Sequence, residues 1–508
     1  MDYPILFLLL SSLSLFTFIY ALTTTPIRLS IPHHVHTHNP MDYPILFLLL
    51  SSLSLFTFIY ALTITGRRNS RLPPGPYPFP VIGNLLKLSD KPHRSIATLS
   101  KRYGPLMSLK LGSRTTIVVS SPDLAKEFFH THDISFSSRT IPYTARILDH
   151  DKYSIVWLPT GDEWRRLRRI TRELFFSVQC LDASQLLRGE KVQELVDHVH
   201  ECCRNEKAVN IEFKEAVMAL LNFGGRPNLA DFFPILKPFD PQGFVRQGNV
   251  YGKKLLTIID RIVDQRLQSR LSSSSLTNND VLDSLLNLVH KEESMFSRED
   301  MRHLFLALFI AGTDTTSSTL EWAMTELIRN PEKMNSARLE ITKLMQNKKE
   351  NIQEKDISQL PYLQAVIKET LRLHPPAPFL VPHQAIDTVE VQGYIVPKNA
   401  QIFCNVWAMG RNPNIWPDPE TFMPKRFLEV KIDYKGQNYE FIPFGSGRRI
   451  CPGLNIAHRM LHIMLGSLIH KFDWKLDGNI RAQDMDMEEK FGLTLPRKVP
   501  LMAIPIKL

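Results

Sequence analysis

One uninterrupted helical pattern in the second half of the chain limits the possible folds more than any other feature. Ser297 and Asp300 stand three residues apart at its start, in the manner of a capping box, and Pro331 ends the pattern after Arg329. About 33 residues at 1.5 Å each make a helix roughly 50 Å long, enough to cross a whole domain. Its segment HLFLALFIAG is apolar on every side, so we expect the helix to be buried in a large helical body.

The remaining patterns predict one mainly helical domain with a minor sheet. Two short runs, PLMSLKLG and TTIVVSS, read as strands, and another helix spans about 360–373. No Gly-rich phosphate loop and no βαβ alternation occurs, which excludes the common nucleotide-binding α/β folds. The other helical patterns lie at 122–131, 162–178, 188–206, 212–223, 245–270 and 279–291.

The charge and the cysteines exclude further classes of protein. A net charge of +10 indicates an acidic partner or a membrane surface. No zinc-ligand spacing and no alternation of aromatic and basic residues is present, so we expect no nucleic-acid partner. The five cysteines show no paired spacing, which argues against a disulfide framework and for a reducing compartment. Four of them receive no role from the sequence: Cys180, Cys202, Cys203 and Cys404.

An apolar segment occurs twice, identically, at the N-terminus. MDYPILFLLLSSLSLFTFIYALT fills residues 1–23 and again 41–63, and about 20 uncharged residues suit one bilayer crossing. Arg67, Arg68 and Arg71 follow the second copy, so we predict a single-pass anchor at 41–63 with the rest of the chain in the cytosol. A cleaved signal peptide is the alternative, but no basic leader precedes the segment. We interpret copy 1–23 as a duplicated fragment or a gene-model error.

Two polar stretches flank the predicted anchor. Residues 24–40 contain four histidines that could bind a metal, although a solvated linker is the simpler interpretation. Residues 64–84 are basic and proline-rich, and such a run excludes helix and favours a stiff spacer. The globular domain is therefore predicted to occupy residues 85–508.

The stretch FGSGRRICPG, at 444–453, places one cysteine on a loop rich in glycine and arginine. Glycine lets backbone amides approach the sulfur, and Arg448 and Arg449 would lower the pKa of Cys451 and favour the thiolate. A helical pattern after Gly453 adds a helix N-terminus, which also favours negative charge. A nucleophile would need a nearby base, and none is evident. A lone thiolate cannot satisfy zinc, whereas haem iron needs only one protein sulfur.

Three further motifs have ordinary interpretations when they are taken alone. In AGTDTT, a mid-helix Thr315 commonly donates to the carbonyl four residues back, but an unpaired Asp314 in a buried helix is costly. In KETLR, Glu369 and Arg372 predict an exposed ion pair of little energetic weight. Around WRRLR, at 164–168, residues 165–169 predict a solvated basic face.

Taken together, these segments resemble the cytochrome P450 family over nearly the whole globular body. FGSGRRICPG matches the family signature Phe-x-x-Gly-x-Arg-x-Cys-x-Gly, and the resemblance implies a mainly α fold with minor β. It also implies haem b as cofactor, with Cys451 as the sulfur ligand of the iron. The matched positions are Phe444, Gly447, Arg449, Cys451 and Gly453.

The same resemblance implies roles for the other motifs. Thr315 would hydrogen-bond dioxygen, and Asp314 would relay protons. Trp164, Arg168 and His383, together with Arg449, would meet the haem propionates. The two members of the KETLR pair would form a buried triad with a third residue, and Lys425 stands where the family usually has glutamate, which we expect to be tolerated. The triad consists of Glu369, Arg372 and Arg426.

The anchor and the run AGTDTTSSTLEWAMTELIRNP resemble plant microsomal P450s, and RPNLADFFPILKPFDPQG, at 226–243, is similar to geraniol 8-hydroxylase-like enzymes. This implies hydroxylation of a small lipophilic metabolite, such as a monoterpenol or another terpenoid, at the endoplasmic reticulum membrane. NADPH–cytochrome P450 reductase would supply electrons, with cytochrome b5 as a second donor. Arg165, Arg166 and Arg169 could contact the acidic reductase. The implied pocket comprises Phe305–Ala311, Ala377–Val381 and Leu493–Leu495.

The chain departs from the family layout after the helical pattern that ends near Arg204. Family members usually carry a further core helix there, but here AVN runs straight into IEFKEAV, so about one helix is missing near residue 211. A core helix that buries four or five large side chains would contribute about 1.5–3 kcal/mol for each. Three functions therefore stay open: a monooxygenase, a non-catalytic remnant with the same fold, and a P450-like isomerase or dehydratase. The intact Thr315 and Asp314 argue against the last.

Overall fold

The structure is a computed structural model of the whole chain. It describes residues 50–52, 54, 71–202, 225–272, 280–291, 295–346, 348 and 352–508. Segment 1–23, linker 24–40, most of the predicted anchor, the helix predicted at 212–223 and the junction near residue 211 lie outside these residues. No helix within the described ranges combines the length and the apolar character needed to cross a bilayer.

Helices make up most of the described residues. Short 3-10 turns connect several of them, and π-helical turns at Glu127–Thr131 and Thr171–Phe175 prolong α2 and α4. In chain order the helices are α1 (Pro92–Tyr103), α2 (Pro122–Lys126), α3 (His150–Tyr153), α4 (Asp162–Ile170), α5 (Val178–Ala183), α6 (Gln185–Cys202), α7 (Leu229–Phe232), α8 (Phe244–Ser272), α9 (Val281–His290), α10 (Arg298–Arg329), α11 (Pro331–Met345), α12 (Pro361–Leu373), α13 (Val406–Met409), α14 (Arg426–Glu429) and α15 (Leu454–Lys471).

The strands form one mixed sheet and two hairpins. The strands are β1 (Leu106–Leu111), β2 (Arg114–Val119), β3 (Ser138–Arg139), β4 (His383–Gln384), β5 (Val389–Val391), β6 (Tyr394–Val396), β7 (Gln401–Cys404), β8 (Phe472–Leu476) and β9 (Ala503–Lys507). The larger sheet has the order β1-β2-β7-β4-β3, in which β2 and β7 are parallel and the other neighbours are antiparallel. Pairs β5–β6 and β8–β9 stand apart from it. The predicted mainly α fold with minor sheet is confirmed.

The long helix α10 begins as its sequence predicts. The Ser297 hydroxyl accepts from the backbone N–H of Asp300 at 3.1 Å, and the Asp300 carboxylate accepts from the N–H of Ser297 at 2.9 Å. These reciprocal bonds satisfy two of the amide donors that a helix start leaves free. The expectation of burial along the whole helix is wrong for its middle, where Phe309 is 41% exposed and Gly312 is also exposed.

Helix α10 joins two hydrophobic cores. Its first half packs with α4, α8 and α9 through residues such as Leu304 and Leu306. Its second half packs with α11, α12 and α15 through residues such as Met324 and Leu327. The segment between the two cores carries AGTDTT and is the part that is not buried on all sides. The fold therefore leaves the functional motif of this helix accessible.

The helical pattern predicted at 162–178 is interrupted. α4 and its π-helical extension end at Phe175, and the Ser177 hydroxyl then accepts from the N–H of Cys180 at 3.3 Å to start α5. A serine cap of this kind favours a new helix start over continuation. The pattern predicted at 188–206 starts earlier, at Gln185, and its described part ends at Cys202.

Candidate active site

The loop 444–453 packs against the segment around Phe129 and carries Cys451 to the start of helix α15. Gly447 has φ +66°, and a Cβ there would lie 2.4 Å from the carbonyl oxygen of Phe129, so only glycine fits. The N–H of Cys451 donates to the carbonyl of Phe444 at 2.9 Å, which closes the loop. Gly453 is the residue before α15, so the sulfur lies close to the start of an 18-residue helix.

The expectation that Arg448 and Arg449 lower the pKa of Cys451 is wrong. Burial of the sulfur raises that pKa, while the N–H of Gly453 and the charge of Arg168 oppose the rise. Arg448 instead pairs with Asp133 at 2.8 Å, and Arg449 turns towards backbone carbonyls. The loop alone does not activate the thiol as a free nucleophile, whereas coordination to a metal deprotonates a thiol outright.

Arg449 is held in place by backbone oxygens and by an aromatic ring. Its Nε donates to the carbonyl of Ser137 at 2.8 Å, and its guanidinium carbon lies 4.4 Å from the ring centroid of Trp164. The Trp164 N–H donates to the carbonyl of Ile155 at 3.1 Å, and Arg449 Nη1 donates to the same carbonyl at 3.3 Å. The structure thus brings Trp164 and Arg449 together, as the sequence predicts for a shared site.

Arg139 is a member of this site that the sequence did not indicate. It lies on β3 and pairs directly with His383 of β4, and its side chain is buried. Its Nε has no hydrogen-bond partner in the described structure. Burial lowers the pKa of Arg139 well below its ordinary value, and the nearby charges of Arg449 and Arg168 lower it further. A buried, incompletely paired cation of this kind indicates a missing anionic partner.

His383 is predicted in this site and lies in it. Its Nδ1 is 2.7 Å from the carbonyl of Phe136, to which it donates, and its ring lies 4.8 Å from that of Phe129. Burial, followed by the charge of Arg139, lowers the pKa of His383 well below its ordinary value. The imidazole is therefore neutral here and presents a hydrogen-bonding edge rather than a charge.

The residues present fit a haem group. The charged groups that shift the pKa values of Arg139, Arg168 and Arg449 within the described structure include these arginines themselves, but no carboxylate. Three guanidiniums without an acidic partner suit a ligand with two carboxylate arms, because arginine binds carboxylates in a bidentate manner. No group of three or more His, Cys, Asp or Glu side chains in the described ranges could hold a metal ion. A single sulfur, Cys451, beside a cationic cluster is the donor set that a porphyrin iron requires.

Helix α10 presents its polar notch through Thr315 and Asp314. The Thr315 hydroxyl donates to the carbonyl of Ala311 at 2.6 Å, which is the ordinary mid-helix arrangement. A Cβ added at Gly312 would meet no atom within 4 Å, so this face is open. The Asp314 carboxylate accepts a hydrogen bond from the hydroxyl of Thr494, which lies within the predicted pocket segment Leu493–Leu495.

The triad of Glu369, Arg372 and Arg426 is buried, so the exposed ion pair predicted from KETLR alone is wrong. Glu369 accepts from Arg372 Nε and Nη2, each at 2.8 Å, and from Arg426 Nε at 3.0 Å. The two arginines also donate to backbone carbonyls between residues 410 and 421. Lys425 is exposed next to this cluster.

The other predicted residues are dispersed. Cys404 is buried in a hydrophobic core, which raises the pKa of its thiol, and Cys180 is half-buried. Within the expected pocket, Leu495 is buried and Leu493 is partly exposed. Arg165 pairs with Asp162, and Arg166 pairs with Asp300. Arg169 is exposed and pairs with neither of these two carboxylates.

Comparison with known proteins gives a consistent result. The family model "Cytochrome P450" matches residues 73–213 and 199–502. Cytochrome P450 76T24 of Catharanthus roseus is 50% identical over 471 residues, covering 87% of this chain and 94% of that protein. A ferruginol synthase of Isodon rubescens is 44% identical over 474 residues, covering 87% and 96%. A geraniol 8-hydroxylase of Swertia mussotii is 44% identical over 472 residues, covering 87% and 95%. The chain belongs to the cytochrome P450 family.

Proposed function

We propose that this chain is a membrane-anchored haem-thiolate monooxygenase that hydroxylates a small lipophilic terpenoid, with a monoterpenol as the leading candidate. The observation that carries the proposal is the single sulfur of Cys451 beside three arginines that have no acidic partner among the described residues. The terpenoid class is supported by relatives that are named geraniol 8-hydroxylase and ferruginol synthase. The apolar residues of the expected pocket suit such a substrate.

Haem b, when bound, supplies the activation of O2 that inserts one oxygen atom into the substrate. Cys451 would hold the iron, and the positive charges around it would hold the two carboxylate arms. Trp164 supports this arrangement by fixing the guanidinium of Arg449 against its ring. The neutral imidazole of His383 adds no further positive charge, and because its Nδ1–H is donated to Phe136, its Nε2 can accept a hydrogen bond but cannot itself hold a carboxylate.

Protons for the reaction would pass through the notch of α10. Asp314 is only partly buried, so water reaches its carboxylate, and the neighbouring Thr315 offers a hydroxyl on the next residue of the helix. A carboxyl group next to a hydroxyl can take a proton from water and deliver it one hydrogen bond further. This is the role that we propose for the pair.

Electrons would come from NADPH through NADPH–cytochrome P450 reductase, with cytochrome b5 as a second donor. A groove of about 320 Å³ beside Cys451 is lined by Arg168, Arg172 and Lys435. Such a basic rim next to the sulfur favours docking of an acidic protein surface. Electrons would then cross only the short distance from the docked protein, through this groove, to Cys451.

An exposed apolar surface supports attachment to the endoplasmic reticulum membrane. Val81 and Ile235 are 73% and 81% exposed, and they lie on separate segments that both contact the β1–β2 turn. In that turn, the N–H of Gly112 donates to the carbonyl of Ile82 at 3.2 Å and the N–H of Ser113 donates to that of Phe232 at 2.8 Å. Both segments thus lie on one side of the domain. Further exposed apolar residues there are Tyr77, Phe79, Leu86, Leu229 and Phe239.

The reduced carbon-monoxide difference spectrum of the expressed chain tests the proposal. A thiolate-ligated Soret band is expected in the wild-type protein and should be lost in Cys451→Ser. Cys180→Ser is the matched control, because this cysteine is half-buried outside the site and should keep the band. Oxidation of geraniol in the presence of reductase and NADPH then tests the substrate class.

The outcomes separate the three functions that the sequence leaves open. Failure of the wild-type chain to form the band despite haem supply overturns the enzyme and favours a non-catalytic remnant. The family model matches the chain in two segments, which overlap at 199–213, and not in one continuous match. This observation is the reason to test the non-catalytic alternative. Turnover of substrate without reductase would point to an isomerase or dehydratase. Failure to oxidise any monoterpenol would overturn only the substrate class.

A further inference from the structure

The C-terminal residues 494–501 run beside helix α10 and are fastened to it by a row of hydrogen bonds. The indole N–H of Trp322 donates to the carbonyl of Leu495 at 3.0 Å. Arg497 Nη1 donates to the Thr325 hydroxyl at 2.8 Å, and the N–H of Leu501 donates to Glu321 at 2.8 Å. The row ends at the notch, where the Thr494 hydroxyl donates to Asp314 Oδ2. This last bond is the one that reaches the proposed proton-relay carboxylate.

Thr494 is a rigid donor because the backbone next to it is bonded on both sides. The N–H of Leu495 donates to the carbonyl of Pro376 at 2.9 Å, while its own carbonyl accepts from Trp322. The Leu495 side chain is fully buried, and Thr494 is 6% exposed. A donor that is fixed before the reaction costs no reorganisation when charge develops near it.

In the described part of the structure, Thr494 is the side-chain partner of the Asp314 carboxylate. A bond from a hydroxyl to a carboxylate is charge-assisted and is among the stronger hydrogen bonds in proteins. It fixes the rotamer of Asp314 through Oδ2 and leaves Oδ1 without a side-chain partner in that part of the chain. Oδ1 is then the oxygen that can exchange protons with water beside Thr315.

We propose that Thr494 is a positioning residue for proton delivery: it holds the Asp314 carboxylate in the one orientation that serves the α10 notch. The inference rests on the proposed monooxygenase function and deepens it. Thr494 itself gives up no proton in this role, and it acts only through Asp314. Loss of the Thr494 hydroxyl would leave the chain folded, but the Asp314 carboxylate could then rotate away from this orientation.

Two variants of Thr494 test the role. Thr494→Val removes the hydroxyl with little change in shape, and Thr494→Ser keeps it. With reductase and NADPH, we expect roughly a tenfold rise in the ratio of hydrogen peroxide to hydroxylated product for Thr494→Val, because misplaced groups lose much of their catalytic effect. Thr494→Ser should stay within about twofold of the wild type. Thr325→Val is the matched control, since it cuts the same row of bonds away from the notch.

A second measurement does not depend on turnover. Urea unfolding of Thr494→Val, Asp314→Ala and the double variant should be non-additive, because the second change removes a bond that the first has already broken. Additive effects would overturn the contact and with it the proposal. Equal uncoupling by Thr494→Val and Thr325→Val would also overturn it, since general loosening would then explain both. Absence of the haem-thiolate band in the wild type would instead overturn the proposed function, and the positioning role would fall with it.

Discussion

Arg139 shows how a strand of two residues can place a functional side chain. β3 contains only Ser138 and Arg139, and its pairing with β4 sets Arg139 directly opposite His383 at the end of the sheet. One guanidinium nitrogen donates to the carbonyl of Val381, and Nε stays unpaired in the described structure. A two-residue strand has no periodicity, so no sequence pattern singles out this arginine. The position of Arg139 in the site depends on long-range contacts, because its hydrogen-bond partner Val381 lies 242 residues away in the chain.

We expect Arg139→Met to affect the haem-free and haem-loaded protein in opposite directions. Without haem, the change removes a buried cation beside Arg449, so the free energy of unfolding should rise or stay unchanged. With haem, it removes a bond to a carboxylate of about 1.5–3 kcal/mol, so haem loss to apomyoglobin should become roughly 10- to 100-fold faster. Arg146→Met, at a half-exposed side chain, is the control. Equal destabilisation of both forms would show that Arg139 is merely structural.

Helix α12 carries a charge cluster whose burial depends on distant segments. Glu369 is 0% exposed because the chain between residues 410 and 426 wraps over it and provides Arg426. The i,i+3 spacing of Glu369 and Arg372 is local and predicts only their mutual contact. The N–H of Met423 completes the shell by donating to Glu369 at 2.7 Å. Because so many donors contact it, the Glu369 carboxylate is an integral part of the packing around α12.

Glu369→Gln should therefore be strongly destabilising. Two arginines would be left buried without their counter-ion, which costs about 3–5 kcal/mol when a buried pair is broken. Urea unfolding of the haem-loaded protein measures the loss. Lys425→Glu, at the exposed neighbouring position, should change the free energy of unfolding by about 0.5 kcal/mol or less. A cost below about 1 kcal/mol for Glu369→Gln would contradict the triad as a structural support of the haem site.

Helix α15 contains a buried histidine that makes the fold sensitive to acid. His462 is 1% exposed and its Nδ1 donates to the carbonyl of His458 at 2.5 Å. Burial, followed by the charge of His458, lowers the pKa of His462 from an ordinary 6.5 to about 3. The unfolded state thus binds a proton more readily, so the stability that this residue contributes above pH 6.5 is lost as the pH falls towards 3.

Replacement of His462 should flatten this dependence on pH. Between pH 7 and pH 5, one such histidine accounts for about 2 kcal/mol of lost stability, and His462→Leu should remove that part of the decline. Urea unfolding at both pH values measures the difference. His130→Leu, at an exposed histidine, should leave the decline as it is. An unchanged pH dependence in His462→Leu would mean that other groups dominate.

The elements show what the sequence can and cannot predict. Local signals were sufficient for the start of α10, because Ser297 and Asp300 cap each other within one turn. The pKa of Cys451 was predicted wrongly, because burial of the sulfur raises it and the one arginine that opposes this rise is Arg168 of α4, not a sequence neighbour. The exposed middle of α10 was missed for the same reason, since composition describes a helix but not what packs against each part of it. Nonlocal packing is the part that periodicity leaves out.

At the scale of the whole molecule, one surface is poorly covered. A groove of about 390 Å³ lies between α6 and α15 and is lined by apolar residues that include Val192, Val196 and Ile463. Leu186, also in the lining, is 82% exposed. The alignment with the 50% identical relative spans 471 positions but uses 87% of these 508 residues, about 440. About 30 positions of the relative thus have no counterpart here, and the two segments of the family match overlap at 199–213, a range that begins within the last turn of α6.

We predict that restoring these positions will stabilise the domain. Insertion of the relative's unmatched segment after Asn210 should raise the unfolding temperature and the fraction of chains that carry haem. A further core helix would bury large apolar side chains at about 1.5–3 kcal/mol each. Spectroscopic titration of haem against protein measures the loading, and an insertion of equal length rich in Gly and Ser is the control. Equal loading in all three chains would show that this domain is complete without the segment.

Residues 494–501 cover one side of α10, yet the ribosome adds Thr494 180 residues after its partner Asp314. The helix is synthesised long before its Thr494, Leu495 and Arg497 partners exist, so part of its surface has to wait uncovered. Cys451 and α15 are also late in the chain. The domain therefore has to fold as a unit, after these later segments have been synthesised, as domains generally do. The Asp314 carboxylate thus waits for a partner that lies 180 residues later in the chain, and a chain that stopped before Thr494 would lack the segment that fastens the helix.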